Sequence, residues 1–270
     1  MFKAKKYLLP LNEKALVMAV INLTPDSFYE GSRFDSSNAV AAAELAVKQG
    51  ADIIDIGAQS TAPDSTAITE AEELERLLQS LSAIRKAVDI PISVDTFFPA
   101  VAKAAMENGA DIINDVSGNA ESVMMNTAAE CGAGYIAMHT GGSTSKEAVW
   151  YQNGVIADIN SFFEKVAIHA TNIGLDRTCL CLDPGIGFGK TREDDLEIIT
   201  GFSKFNSCGC ALLAGLSRKR ITRLCGDALT GTVIYNTLCI LGGADIIRVH
   251  DVPQAVATAE AAKLIKGGKN

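Results

Sequence analysis

Gly50-Ala-Asp-Ile-Ile-Asp55 recurs as Gly109-Ala-Asp-Ile-Ile-Asn114 and again as Gly243-Ala-Asp-Ile-Ile-Arg248. Each copy follows a stretch of helical character. The glycine ends a helix, alanine and aspartate turn the chain, and the isoleucine pair enters a strand buried on both faces. The three copies therefore mark helix-to-strand junctions of one alternating architecture. Further apolar runs of the same kind lie at Leu16 to Ile21, Ile90 to Val94, Tyr135 to Met138, Cys179 to Leu182 and Ala211 to Ala214. With the three repeats they make eight strands.

The segments between them have the helical character that parallel crossovers need. Thr69 to Val88 opens Thr-Glu-Ala-Glu, close to a capping arrangement, and carries Leu74, Leu77, Leu78, Leu81 and Ile84 at helical spacing. Ser36 to Gln49, Pro99 to Asn108, Glu121 to Cys131, Ile156 to Ile173, Glu193 to Lys204, Thr232 to Leu241 and Pro253 to Lys266 complete the set. A length of 270 residues is close to the roughly 250 of a (β/α)8 barrel. No linker divides the chain, so the pattern predicts one α/β domain over residues 1–270, a TIM barrel. A doubly wound open sheet is the alternative.

A net charge of −8 argues against a nucleic-acid partner, and any basic pocket must be local. No run is long and apolar enough to span a bilayer, and residues 1–10 carry three lysines rather than a leader, so the expectation is a cytoplasmic protein without membrane contact. Seven cysteines lack CxxC spacing and read as reduced thiols.

In a barrel of this kind catalytic groups come from the C-terminal strand ends. Those ends supply Asn22, Asp55, Asp95, Asn114 with Asp115, His139, Asp183, Lys219, and Arg248 with His250. Any one of these could be a helix cap or turn residue, but their convergence on one rim favours a site. Asp95, Asn114 and Asp183 suit a flat heterocycle rich in N–H donors, because ionised carboxylates only accept. Lys219, Arg248 and His250 suit phosphate or carboxylate groups. Gly185 to Thr191 only imitates a phosphate loop, having three residues between Gly185 and Gly189 where four are needed. Gly215-Leu-Ser-Arg-Lys219 is one residue short of a nucleophile elbow.

Six segments together carry a resemblance: Asn22-Leu-Thr-Pro-Asp-Ser-Phe28, Ser93-Val-Asp-Thr96, Ile113-Asn-Asp-Val-Ser-Gly118, Asp183-Pro-Gly-Ile-Gly-Phe-Gly-Lys190, Gly215-Leu-Ser-Arg-Lys219 and Arg248-Val-His-Asp-Val252. In this order they resemble the signature segments of the dihydropteroate synthases, over almost the whole chain. The resemblance implies a transferase of folate biosynthesis that joins 6-hydroxymethyl-7,8-dihydropterin diphosphate to 4-aminobenzoate and releases diphosphate. By matching positions, Asp95, Asn114, Asp183 and Lys219 would hold the pterin, with Met138 and the stem of Arg248 on its two faces. Asn22, Arg248 and His250 would meet the diphosphate, with Mg2+ reached by Asn22. Thr61, Pro63, Phe188, Ser217 and Lys219 would shape the aminobenzoate pocket, and loops Thr24 to Asp35 and Ser60 to Ile68 would close over the reactants. Asp95, Asp183, Lys219, Arg248 and His250 are the implied catalytic set, in a homodimer.

Two positions depart from the family's pattern, Gln59 where Glu is usual and Ala62 where Arg is usual. The missing cation bears on the acceptor half of the reaction. The loop after His139 also lacks the proline expected nearby. A non-catalytic pterin-binding paralogue and a folate-type methyltransferase on the same barrel are the alternatives.

Overall fold

The computed structural model describes residues 1–23, 36–58, 68–141 and 148–267. It begins with a hairpin, β1 (Phe2–Ala4) and β2 (Tyr7–Leu9), paired antiparallel. Eight strands then alternate with eight helices: β3 (Leu16–Asn22), α1 (Ser36–Lys48), β4 (Ile53–Gly57), α2 (Glu70–Ala87), β5 (Ile92–Thr96), α3 (Pro99–Glu107), β6 (Ile112–Asp115), α4 (Val123–Cys131), β7 (Gly134–Met138), α5 (Val155–Asn172), β8 (Leu180–Asp183), α6 (Arg192–Thr200), β9 (Ala211–Ala214), α7 (Ala228–Leu241), β10 (Ile246–Val249) and α8 (Val252–Gly267). Strands β3 to β10 pair in parallel with their sequence neighbours, and β10 pairs with both β9 and β3, so the barrel closes. The expected barrel is the observed fold, as one domain, and each expected strand is present. The hairpin was not expected.

The three repeats do the same mechanical work. Gly50, Gly109 and Gly243 all adopt positive φ, near 99°, 104° and 114°, which glycine alone takes without strain. The aspartate two residues on then clamps the neighbouring strand twice. Asp52, Asp111 and Asp245 donate their N–H to the carbonyls of Val17, Ile92 and Leu212 at 2.8 Å. Their carboxylates accept the N–H of those same three residues at 2.8, 3.0 and 2.9 Å. These contacts satisfy backbone groups at strand entries, where a buried orphan would be costly.

Helix starts follow the local chemistry. Thr69 and Glu72 form the reciprocal capping box of α2, Thr191 and Asp194 that of α6, and Pro99 stands in the first turn of α3.

The period of two along each strand splits the core in two. Outward residues such as Val17, Ile54, Val94, Ile113, Leu182 and Ile247 pack beneath the helices. Inward residues Leu16, Met18, Ile53, Ile112, Ile136, Cys181, Leu213 and Ile246 fill the barrel's lower half together with Phe2 and Ala4 of the hairpin. Phe2 is fully buried, and a Cβ on Gly134 would stand 2.8 Å from its ring, so the bare backbone of β7 admits the plug. One step higher, the same inward parity brings up Asp55, Asp95, Asn114, Met138, Asp183 and Arg248. Apolar side chains floor the barrel and ionisable ones line its mouth.

All seven cysteines are free thiols. Among the described residues no helix is long and apolar enough to cross a membrane.

Candidate active site

Arg248 organises the mouth. It rises from the end of β10 and spans the barrel, donating Nε to Asp55 Oδ2 at 2.6 Å and Nη2 to Asp95 Oδ2 at 2.6 Å. From β6, the Asn114 amide lies 3.4 Å from both oxygens of Asp55. Asp55, Asn114 and Arg248 are the final residues of the three repeated hexapeptides. Identical junctions deliver different side chains to the same layer, where they meet.

Asp183, at the end of β8, accepts the backbone N–H of Gly185 at 2.7 Å. A Cβ on Gly215 would lie 3.4 Å from Asp183 Oδ2 and 4.0 Å from Arg248 Cβ. Strand β9 thus contributes a bare backbone between two functional side chains. Lys219 reaches back from beyond β9 to donate to the carbonyl of Ile186 at 2.5 Å, with its ammonium 4.3 Å from the centre of the Phe188 ring. Ser217 Oγ accepts the backbone N–H of His250 at 3.2 Å and stands 3.1 Å from its Nδ1. A serine hydroxyl donating to Nδ1 sets the proton of a neutral ring on Nε2. Met138 is buried at the end of β7, and Asn22 is half-buried at the end of β3. A cavity of about 450 Å3 adjoins the mouth, lined in part by Asn22, Arg218 and His250.

Burial acts on the ionisation of Asp95, Asp183, Lys219 and Arg248. It pushes the Asp95 carboxyl up to about 7, against the Arg248 guanidinium and helped by the charges of Asp55 and Glu73. Burial also raises Asp183, with Lys219 pulling the other way. Lys219 is lowered to about 8 by burial, opposed chiefly by Asp183. Arg248 is held more firmly protonated than usual, because Asp55 and Asp95 outweigh its own burial. His250 is lowered by the protein packed around it, then by Arg248 and Arg218, although the residue is exposed at the rim. Its ring is therefore neutral at pH 7 and offers phosphate a hydrogen-bond donor rather than a charge.

Two rim residues face elsewhere. Asp115 points outward, accepting from Tyr135 Oη at 2.5 Å and from the N–H of Ser117 at 2.8 Å. His139 lies outside the strand layer, 2.9 Å from Asp158 and 3.1 Å from the buried Lys190 ammonium. Both fasten loops. Thr61, Pro63, Gln59 and Ala62 lie outside the described residues, as do the closing loops expected at Thr24 to Asp35 and Ser60 to Ile68, of which Ile68 alone is described. Among the described residues no three His, Cys, Asp or Glu side chains are placed to hold a metal ion together.

Sequence reasoning placed Asp55 on the rim without giving it a ligand role. Its position as the last residue of a repeat, equivalent to Asn114 and Arg248, was the available signal. The link from Asp195 to Gly187, a hydrogen bond of 2.7 Å, left no such trace.

A (β/α)8 barrel with acids, an amide and cations converging on its C-terminal mouth has the build of an enzyme for a small polar substrate. Known proteins agree. The model of the family described as "Pterin binding enzyme" matches residues 18–250, and the chain belongs to that family. A dihydropteroate synthase of Bacillus subtilis is 38% identical, across 96% of this chain and 92% of its own. Two solved structures of the Xanthomonas albilineans dihydropteroate synthase align closely. The one with 4-aminobenzoic acid has a TM-score of 0.87 at 34% identity, covering 96% of this chain and 95% of the other. The one in complex with 7,8-dihydropteroate has a TM-score of 0.84 at 31% identity, with the same coverage. Some curated relatives are longer proteins. The chain spans 31% of a probable bifunctional folylpolyglutamate synthase/dihydropteroate synthase of Haloferax volcanii and 49% of a mitochondrial folate synthesis bifunctional protein of Arabidopsis thaliana.

Proposed function

We propose that this protein is a dihydropteroate synthase, joining 6-hydroxymethyl-7,8-dihydropterin diphosphate to 4-aminobenzoate with loss of diphosphate. The observation that carries the reading is the bridge from Asp55 through Arg248 to Asp95, within the charge fields of Asp183 and Lys219, in a member of the pterin binding enzyme family.

Asp95, Asn114 and Asp183 bind the donor-rich edge of the pterin. Arg248 takes Oδ2 of Asp95, so a ring N–H can use the other oxygen. Met138 packs on one ring face and the Arg248 stem on the other. The bond between the pterin methylene carbon and the bridging oxygen breaks first, its electron pair leaving with diphosphate. Asn22, Arg248 and the Nε2–H of His250 receive that anion. Positive charge then spreads from the methylene into the ring, where the carboxylates of Asp95 and Asp183 stabilise it. The arylamine nitrogen forms the new C–N bond with its lone pair and gives up a proton to solvent. Phe188, Ser217 and Lys219, with Thr61 and Pro63, shape the pocket that orients it.

Mg2+ suits this site on donor chemistry: it commonly takes few protein oxygens and completes its shell with phosphate oxygens and water, and the Asn22 amide oxygen is one such hard ligand. Bound there it would neutralise charge on the leaving group. In the same reading residues 1–270 form one cytoplasmic pterin-binding unit that pairs as a homodimer. Leu229, Ile234, Leu238 and Leu241, exposed along α7, support an apolar pairing face.

Measuring diphosphate release with and without 4-aminobenzoate tests the reaction. Release that requires the arylamine supports the synthase. Pterin binding without release would establish a non-catalytic paralogue, and methyl transfer from a reduced folate would establish a methyltransferase.

A further inference from the structure

Lys219 lies in a trough made by three consecutive residues of the loop between β8 and α6. Ile186 supplies the carbonyl that accepts from Nζ at 2.5 Å, and Phe188 supplies a ring face 4.3 Å from Nζ. Between them Gly187 runs so close that a Cβ would stand 3.1 Å from Lys219 Cδ, with φ near 82°. What fixes the middle of the trough is Asp195. It sits in the first turn of α6, 1% exposed, and its Oδ1 accepts the Gly187 N–H at 2.7 Å. The neighbouring acid Asp194 caps the helix through Thr191, and Glu193 is exposed, so Asp195 alone in that turn turns inward to the loop.

We propose that Asp195 is a positioning residue for catalysis: through Gly187 it fixes the trough that aims the Lys219 ammonium, and it brings a carboxylate to the loop on which that ammonium rests. The proposal deepens the synthase reading, since it rests on Lys219 as a pterin and aminobenzoate contact. The titratable and charged groups that face Lys219 are Asp183 from β8, Lys190 from the loop that follows it, Asp195 from α6, Arg248 from β10 with His250 just beyond, and Asp95 from β5. Asp183, Asp195 and Asp95 favour the proton, while Arg248 and burial oppose it. Asp195 is itself raised by burial, with the Gly187 hydrogen bond and Lys219 pulling the other way.

Two substitutions separate aim from charge. Asp195→Asn keeps an oxygen to accept from Gly187 but removes the charge. Asp195→Ala removes both. The direct readout is the ε-13C resonance of Lys219, identified by its loss in Lys219→Arg and followed through a pH titration of the full-length protein. In Asp195→Asn the midpoint is expected to fall by about half a unit or more, as for loss of a nearby opposite charge. An unmoved midpoint would overturn the electrostatic part. In Asp195→Ala, kcat/KM for diphosphate release is expected to drop by roughly tenfold to a hundredfold, more than in Asp195→Asn. An Asp195→Ala protein with unchanged kcat/KM would overturn the positioning part. Glu193→Gln, exposed in the same turn, is expected to alter neither, and a shift as large as that of Asp195→Asn would overturn the assignment to Asp195. The titration needs no activity, so a wild-type protein that released no diphosphate would refute the synthase reading and leave this test standing.

Discussion

Replacing Asp95 with asparagine removes one charge from the mouth and little else. The amide oxygen can still accept from Arg248 Nη2, now 2.6 Å from the carboxylate, and Asp55 continues to hold Nε. On the proposed mechanism the lost carboxylate is one of the two groups that stabilise the pterin cation, so kcat is expected to fall by roughly 100- to 1,000-fold, about 3–4 kcal/mol. The protonation of Asp95 makes the test sharper. With its carboxyl pushed up to about 7, it is about nine-tenths ionised at pH 8 and about one-tenth at pH 6. The wild-type enzyme itself then loses the charge as pH falls through 7, while Asp95→Asn has none to lose. Comparing the two, the wild-type advantage in kcat/KM should shrink about tenfold from pH 8 to pH 6. Lys219, lowered to about 8, deprotonates on the alkaline side in both proteins, and sooner in Asp95→Asn, which lacks one of the charges that favour its proton; this widens the wild-type advantage at pH 8 and so acts in the same direction. The assay is continuous detection of diphosphate at saturating 4-aminobenzoate and subsaturating pterin substrate, a regime that reports the ionisation of the free enzyme. Asp95→Asn turnover within about threefold of wild type at pH 8, or a ratio flat across this range, would refute the reasoning.

Three further outcomes follow from the fold and the family pattern. Asp245→Ala orphans the buried Leu212 N–H at the entry to β9, and urea denaturation is expected to show a loss of about 1–3 kcal/mol; a change under about 0.3 kcal/mol would deny the clamp its role. Phe2→Ala empties the barrel floor and is expected to cost about 3–5 kcal/mol by the same measurement. Ala62→Arg restores the cation usual in the family, and the KM for 4-aminobenzoate is expected to fall by about tenfold, the worth of one charge-assisted hydrogen bond; an unchanged KM would show that the acceptor is bound without it.

The barrel was legible because three of its junctions are nearly identical in sequence: positive-φ glycine, a clamping aspartate and two β-branched residues recur where α1, α3 and α7 hand over to β4, β6 and β10. The mouth was legible for a related reason. Strand parity is fixed by the pleat, so a polar residue two positions after an apolar inward one must also face the axis, as Asp55 does after Ile53 and Arg248 after Ile246. What escaped was non-local. The hairpin buries Phe2 and Ala4 with Leu9 packed beside them, too short a pattern to distinguish from a polar terminus until the open barrel floor gives those side chains a place. The neutrality of His250 depends on Arg218 and on the protein packed around the ring, which its own segment does not reveal, as well as on Arg248 two residues before it. Asp195 reads as one more acid in the first turn of a helix, and only the return of the loop over that turn gives it Gly187 to hold.

The charge count of the mouth bears on the chemistry. Asp55, Asp95 and Asp183 face Arg248 and Lys219, with His250 neutral, so full ionisation leaves an excess of one negative charge in a largely buried space. Such an excess is costly away from water: burial displaces Asp95 and Asp183 upward, the charges of Asp55 and Glu73 add to this for Asp95, and one carboxylate lies close to taking up a proton at neutral pH. A positive charge arriving at the centre of the cluster relieves that cost without the proton. On the proposed mechanism such a charge develops when diphosphate departs, so the arrangement is strained before the bond breaks and better matched once the cation has formed. Binding of this kind favours the transition state over the ground state, which is the condition for raising kcat rather than only lowering KM. It also assigns different work to the acids: Asp55, locked to Arg248 Nε and fully buried, holds the cationic arm in place, while Asp95 and Asp183 meet the reacting ring.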